Sequence, residues 1–220
     1  METPNKYVAF FDLDGTILNA SSGMLMVKYL RKHGLLTPRI RAGLAAARFT
    51  STVGASPHVS MSALIWFAWK GKSAAASAAR DRAIFHEYVA SAIRQDAVRE
   101  ISIHKERGGS SVLLSASVDT ICDCVAQHLS MDDVICTKPQ ILDGRYTGRI
   151  EGRYCYGEEK RVQATAYAEA RGISIDDCWY YGDAAADRFV LEAVGHPVCV
   201  QPDATLRAIA KEKGWQVAEW

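Results

Sequence analysis

The chain has 220 residues, of which 49% are hydrophobic and 23% are charged, and its formal net charge at pH 7 is +1. These proportions are those of an ordinary globular protein, and the length is enough for a sizeable core and a second small domain. The longest apolar run, residues 63–69, is too short to cross a bilayer, so the composition excludes a membrane-spanning protein.

Six cysteines are scattered along the chain without a Cys-x-x-Cys pair, and the six histidines show no paired spacing. This distribution predicts reduced thiols in a cytoplasmic protein, and it argues against a disulfide framework or a zinc site. The first six residues contain no basic region that leads into an apolar stretch, so we expect no signal peptide.

Positive charge is concentrated in residues 21–80, which contain nine Lys or Arg residues and no Asp or Glu. A segment with one sign of charge is typical of a distinct structural unit, and it favours an anionic partner. The alternative is a basic face that is merely solvated.

The first regular element is an apolar, aromatic run at residues 7–11, which predicts a buried β-strand. Asp12 and Asp14 follow at the strand end, where parallel sheets bind ligands, and Gly15 allows the chain to turn away. Two carboxylates this close repel each other unless a cation or a proton lies between them. Oxygen ligands of this kind favour Mg²⁺. The alternative is that both Asp residues form a turn or cap a helix.

Helical patterns then continue without a strand until the next apolar run. Pro38 and Pro57, each preceded by a hydroxyl residue, are typical of helix starts, and the polar residues 50–55 predict a loop between these two helices. An alanine-rich pattern at 73–93 predicts one long helix. We therefore expect residues 19–93 to form an inserted, all-helical cap domain.

The most apolar of these helices contains two tryptophans, Trp66 and Trp69, at helical spacing. Aromatic residues with this spacing are usually packed in a core. We therefore expect both in the core of the cap, with a face that lines a substrate pocket as the alternative.

Short apolar runs and helical patterns alternate in the second half of the chain. Strands are predicted at 111–115, 134–136, 178–181 and 198–200, a hairpin at 142–150, and helices around 98–105 and at 118–128, 158–171, 184–194 and 203–213. Such alternation predicts an α/β fold with a Rossmann-like parallel sheet and helices on both of its faces. We expect residues 1–18 and 94–220 to form this core.

Three further groups of polar residues lie at predicted strand ends or helix starts. Ser115 and Ala116 end an apolar strand, where a hydroxyl and a backbone N–H suit a phosphate oxygen; capping of the next helix by Ser115 is the alternative. Lys160 opens a helix and could neutralise phosphate charge, unless it is an ordinary solvated lysine. Asp183 ends a strand, and Asp187 lies four residues further on the same predicted helix face, so both could join a metal site. Capping of that helix by Asp183 is compatible with this role.

Four short motifs, in this order, resemble those of the haloacid dehalogenase superfamily. They are Phe11-Asp-Leu-Asp-Gly-Thr16, Val112-Leu-Leu-Ser115-Ala-Ser117, Gly157-Glu-Glu-Lys160 and Gly182-Asp183-Ala-Ala-Ala-Asp187. The resemblance extends over nearly the full chain. Because the helices are inserted after the first strand, the chain is similar to the phosphoserine-phosphatase-like group of this superfamily, subfamily IB.

The resemblance implies a Mg²⁺-dependent phosphatase that hydrolyses a small phosphomonoester through an aspartyl-phosphate on Asp12. It also implies that Asp14 is the general acid and base and that Ser115 and Lys160 complete the catalytic set. The implied phosphate-binding residues are Gly15, Thr16, Ser115, Ala116 and Lys160, and the implied Mg²⁺-binding residues are Asp12, Asp14 through its carbonyl oxygen, Asp183 and Asp187.

Two other functions stay open, a phosphotransferase or phosphomutase of the same superfamily and a non-catalytic protein that binds a phosphorylated ligand. The chain departs from phosphoserine phosphatases at residues 19–23, Asn-Ala-Ser-Ser-Gly, where they carry a Glu, and residues 21–80 offer no acid for an amino group. We therefore expect a small phosphorylated metabolite with a further anionic group, and not phosphoserine. No arginine-rich motif with interleaved aromatic residues indicates a nucleic acid partner, and the oligomeric state does not follow from the sequence.

Overall fold

The structure of the chain is a computed structural model, and it describes residues 7–220. The first six residues lie outside this range, and with them the expectation about a signal peptide and the start of the predicted core segment 1–18. None of the helices in the described part is long and apolar enough to cross a membrane. All six cysteines lie within the described residues and are free thiols.

A seven-stranded sheet lies at the centre of the described structure. Its strands are β1 (Val8–Phe11), β2 (Ser110–Val118), β3 (Asp133–Leu142), β4 (Arg145–Glu151), β5 (Trp179–Gly182), β6 (His196–Val200) and β7 (Gln216–Ala218). Their order is β4-β3-β2-β1-β5-β6-β7, and neighbours are parallel except for the antiparallel pair β3 and β4. The predicted α/β architecture with a Rossmann-like parallel sheet is therefore confirmed.

The first strand lies in the middle of this sheet. Phe11 of β1 pairs with Leu113 of β2 on one side and with Tyr181 of β5 on the other. Alternate residues of a strand point to opposite faces, and Phe11 and Phe10 accordingly belong to two different buried clusters. Because both faces are covered, every residue of β1 is fully buried.

The α-helices are α1 (Ser22–Lys32), α2 (Pro38–Thr52), α3 (Pro57–Trp69), α4 (Ala74–Ile84), α5 (Gln95–Glu106), α6 (Asp119–His128), α7 (Glu158–Glu169), α8 (Arg188–Leu191) and α9 (Ala204–Lys213). The first four lie between β1 and α5 in the chain. Leu30 of α1 and Ile65 of α3 belong to the same buried cluster as Phe11, so this helical segment packs against one face of the sheet. The assignment of residues 19–93 to a separate cap domain stays a prediction.

The connection between α3 and α4 is bonded to the β3–β4 hairpin. The Gly71 N–H donates to the Tyr146 carbonyl (2.8 Å), the Tyr146 N–H donates to the Lys72 carbonyl (3.0 Å), and the Ala74 N–H donates to the Gly144 carbonyl (2.9 Å). The hairpin turns at the predicted Asp-Gly pair, whose φ angles of 49° and 72° are those of a type I′ turn. Three backbone hydrogen bonds thus attach the helical segment to the edge of the sheet.

Two helical predictions differ from the structure in their bounds. The helix α2 continues to Thr52, through part of the predicted loop 50–55, and Thr50 Oγ1 donates to the carbonyl oxygens of Ala46 and Ala47 (2.9 Å each). These bonds satisfy the hydroxyl within the helix. The long helix predicted at 73–93 leaves α geometry after α4, where a π-helical turn, Phe85–Val89, and a 3₁₀ turn follow.

One further prediction is wrong in part, and one strand was not predicted. Trp69 is buried as expected, but Trp66 is 44% exposed, and the Lys70 ammonium lies 4.7 Å from its ring centroid. The C-terminal tail contains β7, for which the sequence indicates no strand. A strand of three residues is too short for a periodic pattern, and β7 is fixed by its pairing with β6.

Candidate active site

Three strand ends meet at one edge of the sheet. Asp12 follows β1, and its N–H still donates to the Tyr181 carbonyl of β5 (2.9 Å), which fixes the direction in which its side chain leaves the sheet. Asp183 directly follows β5. Ser115 lies in β2, two residues beyond the partner of Phe11. The carboxyl ends of parallel strands therefore gather three of the predicted site residues, as they gather ligands in open sheets.

Gly15 lets the chain pass close to Asp183. Its φ is +79°, and a Cβ atom at this position would lie 2.1 Å from Asp183 Oδ2, so any side chain here would displace the carboxylate. The fully buried Thr16 donates from Oγ1 to Asp183 Oδ1 (3.4 Å). Two of the five residues predicted to bind phosphate, Gly15 and Thr16, thus also contact or closely approach Asp183.

Lys160 is buried in the first turn of α7, between two carboxylates. Its Nζ lies 2.8 Å from Asp12 Oδ1 and 2.8 Å from Asp187 Oδ1, and it donates to Tyr180 Oη (3.1 Å). Burial opposes the ammonium charge, but the negative charges of Asp12 and Asp187 outweigh burial and raise the pKa of Lys160 well above its usual value. A buried cation therefore lies directly beside Asp12, and Lys160 is not a solvated surface lysine.

Asp187 is held by protein groups on both of its oxygens. Its Oδ1 accepts from Tyr180 Oη (2.6 Å) and Lys160 Nζ (2.8 Å), and its Oδ2 accepts from the Ala184 N–H (3.2 Å). The backbone here is a 3₁₀ turn, Ala185–Asp187, followed by the short α8, and not the regular helix that the sequence predicts. The bonds from the Asp187 carboxylate back to Ala184 and across to Lys160 favour this tight turn.

Asp12, Asp183 and Asp187 each place one carboxylate oxygen within 4.8 Å of an oxygen of the other two. Burial raises the pKa of Asp12 to about 8, with Lys160 opposing this rise and Asp187 adding to it. Burial and the charge of Asp187 likewise raise the pKa of Asp183 to about 7. When all three carboxyl groups are ionised, the single lysine leaves two negative charges uncompensated, which a divalent cation would balance. Because all three donors are carboxylate oxygens, the site fits Mg²⁺.

The side chain of Asp14 points away from this group. Its Oδ1 accepts from the Ser22 N–H (2.7 Å), and its Oδ2 accepts from the hydroxyls of Ser22 and Ser117 (3.1 Å each). A contribution of Asp14 to a metal site through its carbonyl oxygen stays a prediction. Ser22 and Ser117 are missing from the predicted site, since the sequence shows Ser22 only within the segment 19–23 and Ser117 only as the last residue of the second motif.

Ser115 and Ala116 shape the end of β2. The buried Ser115 Oγ accepts from the Ser117 N–H (3.1 Å), and the Ala116 carbonyl accepts from Thr137 Oγ1 (2.9 Å). Residue 118, not Ser115, precedes the first turn of α6, so Ser115 does not cap that helix. Within residues 7–220 no hydrogen bond joins Ser115 to Asp12, and its role in binding phosphate stays a prediction.

A cavity of about 480 Å³ begins at Asp14 and Ser117 and is lined by residues of α1, α2, α3 and the β2–α6 junction. Of the nine basic residues in the segment 21–80, only Lys72 and Arg80 line this cavity. The other seven do not border it, so much of the positive charge lies away from the candidate site.

Unfolding of the cation-free protein is expected to become easier between about pH 4 and about pH 8. The folded state keeps protons on Asp12 and Asp183, with pKa values of about 8 and about 7, whereas unfolded carboxyl groups with a pKa of about 3.9 have released theirs. The contribution of Asp12 and Asp183 to the free energy of unfolding is therefore greatest below about pH 4, and it falls as the pH rises. Mg²⁺ competes with protons for the same carboxylates, so its stabilising effect should grow with pH.

Thermal unfolding in EDTA and in excess Mg²⁺ at several pH values measures both trends. The variant Asp183→Asn lacks one of the two titrating groups, so its Tm in EDTA should fall less over the same interval. An increase in Tm on Mg²⁺ addition that is equal at the two ends of the pH range would contradict the charge balance described above.

A family model described as haloacid dehalogenase-like hydrolase matches residues 9–192. A probable phosphatase of Mycobacterium tuberculosis is 33% identical, over 95% of this chain and 74% of that protein. A phosphoserine phosphatase of the same species is 28% identical, over 96% of this chain and 70% of its own length. Among solved structures, a Bordetella pertussis protein of unknown function superposes with a TM-score of 0.88 and 26% identity, over 98% of this chain and 99% of that one.

Proposed function

The chain belongs to the haloacid dehalogenase-like hydrolase family, and we propose that it is a Mg²⁺-dependent phosphatase that hydrolyses a small phosphomonoester. The observation that carries this proposal is the buried Lys160 ammonium, 2.8 Å from Asp12 Oδ1 at the end of the central strand. A carboxylate beside a fixed cation and two further acids is suited to attack a phosphate group. The relative named a probable phosphatase supports the same reaction class.

In the proposed reaction Asp12 is the nucleophile. Its carboxylate oxygen forms a bond to phosphorus while the bond between phosphorus and the alcohol oxygen breaks. Asp14 gives a proton to the departing alkoxide and then accepts a proton from the water that attacks phosphorus, which releases phosphate and restores Asp12. Lys160 opposes the rise in the pKa of Asp12 that burial causes, and it neutralises charge on the transferring group. Mg²⁺, held by Asp12, Asp183, Asp187 and the Asp14 carbonyl, would supply further neutralising charge.

We assign phosphate binding to residues close to Asp12. The Ser115 hydroxyl and the Ala116 N–H would contact phosphate oxygens, together with backbone groups of Gly15 and Thr16 and the Lys160 ammonium. Ser115 lies in β2 two residues beyond the partner of Phe11, where the pairing of β2 with β3 becomes irregular, and this position supports the assignment.

Release of phosphate from p-nitrophenyl phosphate tests the reaction class. We expect turnover with Mg²⁺ and none in EDTA, because the excess negative charge of the carboxylates would then repel the phosphate group. Glycerol added as an acceptor distinguishes a phosphatase, which yields inorganic phosphate, from a phosphotransferase, which yields glycerol phosphate. Binding of phosphate esters without any turnover would instead identify a non-catalytic binding protein.

A further anionic group on the substrate is supported by Lys72. Arg80, the other basic residue on the cavity, pairs with the buried Asp81 (3.0 Å), whereas Lys72 forms no salt bridge with any described residue. Partial burial and the nearby Arg80 and Arg39 charges lower the pKa of Lys72, so an anion beside it would be favoured. In the same assay, an ester with a second anionic group should lose more kcat/KM in KCl than p-nitrophenyl phosphate, and Lys72→Met should remove this difference.

Partners and location are proposed from the sequence. The absence of an arginine-rich motif in the printed sequence argues against a nucleic acid partner, and the six free cysteines support a cytoplasmic location. We assign no oligomeric state.

A further inference from the structure

The cavity beside Asp14 is lined mainly by apolar side chains. Met24 and Met26 of α1, Leu44 of α2, and Met61 and Leu64 of α3 all border it. Its volume of about 480 Å³ is within the range of about 300–1,000 Å³ in which proteins bind small molecules. The space next to the predicted general acid is therefore large and suited to hydrocarbon.

Few charged side chains line this cavity. Asp14 and Ser117 lie at the end nearest the carboxylate group, and Lys72 and Arg80 are the only cations. Asp14, already bonded to Ser22 and Ser117, is the only acidic residue on the lining. A small leaving group with an ammonium, such as serine, would leave polar groups in an apolar space without partners, which is costly.

Three of the five methionines of the chain border the cavity. Methionine is unbranched and flexible, so its side chain adapts to ligands of different shape. A lining of this kind is better suited to a hydrocarbon chain than to one rigid polar molecule.

We propose that the substrate is the phosphomonoester of an alcohol with an extended hydrocarbon part, and that this part occupies the cavity. The inference depends on the proposed phosphatase function, since it concerns the leaving group of the same reaction. Asp14 lies at the junction between the carboxylate group and the cavity, where the oxygen of the departing alcohol would be. The phosphate would lie beside Asp12 and Lys160.

A series of straight-chain alkyl phosphates, from ethyl to octyl and at concentrations where they are monomeric, tests this substrate class. Each methylene group that enters the cavity should raise kcat/KM by about fourfold at most, the ratio that corresponds to ~0.8 kcal/mol per buried methylene. The increase should end once the cavity is filled. Phosphoserine should be a poorer substrate than butyl phosphate, which has a leaving group of similar size.

Hydrolysis of p-nitrophenyl phosphate, measured together with the alkyl phosphates, distinguishes a failure of the proposed phosphatase function from a failure of the inference about the substrate. If it is not hydrolysed with Mg²⁺, the proposed function fails. If it is hydrolysed but kcat/KM stays flat or decreases with chain length, the function stands and the inference about the substrate is overturned.

Two variants of the cavity lining test whether the alkyl chain of the substrate occupies this cavity. Ala68→Phe adds a ring to the lining of α3, so kcat/KM should reach its maximum at a shorter chain than in the wild type. Ala75→Phe, at an exposed alanine of α4 that does not border the cavity, is the matched control and should keep the wild-type dependence.

Met61→Gln provides a second test if the added ring prevents folding. It nearly conserves volume but makes the lining polar, so the gain per methylene should decrease. If kcat/KM depends on alkyl chain length in both folded variants as it does in the wild type, the alkyl chain does not bind in this cavity and the inference is overturned.

Discussion

Replacing Asp12 by Asn is expected to lower turnover by about 10³-fold or more, the scale on which covalent enzymes slow when their nucleophile is removed. The amide cannot attack phosphorus, but it has nearly the volume of the carboxyl group. The fold should persist, because Lys160 keeps Asp187 at 2.8 Å as its partner.

Phosphate release from p-nitrophenyl phosphate and thermal unfolding in EDTA measure the two parts of this prediction. Asp177→Asn, at an exposed carboxylate outside the site, is the matched control and should behave like the wild type. Turnover by Asp12→Asn near the wild-type rate, with the protein folded, would show that Asp12 is not the nucleophile.

The second large effect is expected from Asp14→Asn, which should slow turnover by roughly 10²–10⁴-fold through the loss of proton transfer. The Mg²⁺ concentration for half-maximal rate should change little, because the Asp14 carboxylate faces Ser22 and Ser117 and not the other three carboxylates. Asp183→Ala should give the opposite pattern, since it removes a carboxylate from the group that fits the cation.

Rates over a range of Mg²⁺ concentrations distinguish these two patterns. For Asp14→Asn the maximal rate should fall while the half-saturating Mg²⁺ concentration stays the same; for Asp183→Ala the half-saturating concentration should rise. A large loss of Mg²⁺ affinity in Asp14→Asn, with an unaltered rate at saturation, would show that its side chain holds the cation.

The central strand could be predicted from sequence because its signals are local. Five apolar residues end at Asp12, and a strand end in a parallel sheet is a place where side chains converge. The same reasoning located Asp183 and Ser115, each of which follows or ends a short apolar run. Gly15 could be predicted as a turn residue, but its approach to Asp183 required the packing of two distant segments.

Contacts between distant segments explain what the sequence could not show. Tyr180 and Lys160 are twenty residues apart, and both bind Asp187 Oδ1 as well as each other, so the 3₁₀ turn that presents Asp187 has no local signature. The contacts of Ser22 and Ser117 with Asp14 depend in the same way on how α1 and β2 pack. The sequence showed that residues 21–80 are basic, but only the fold could show which of these basic residues, Lys72 and Arg80, line the cavity.

The hydrogen bonds between the α3–α4 connection and the β3–β4 hairpin constrain how an alcohol could leave the cavity. A rigid rotation of the helical segment away from the sheet would break the bonds that Gly71, Ala74 and Tyr146 donate, each with a net contribution of about 1 kcal/mol. Met24 borders the cavity and is nevertheless 74% exposed. Exposed side chains change rotamer within picoseconds to nanoseconds. Passage beside Met24 would therefore be fast compared with a domain movement, and the residence time of the product would be set by its own hydrocarbon contacts.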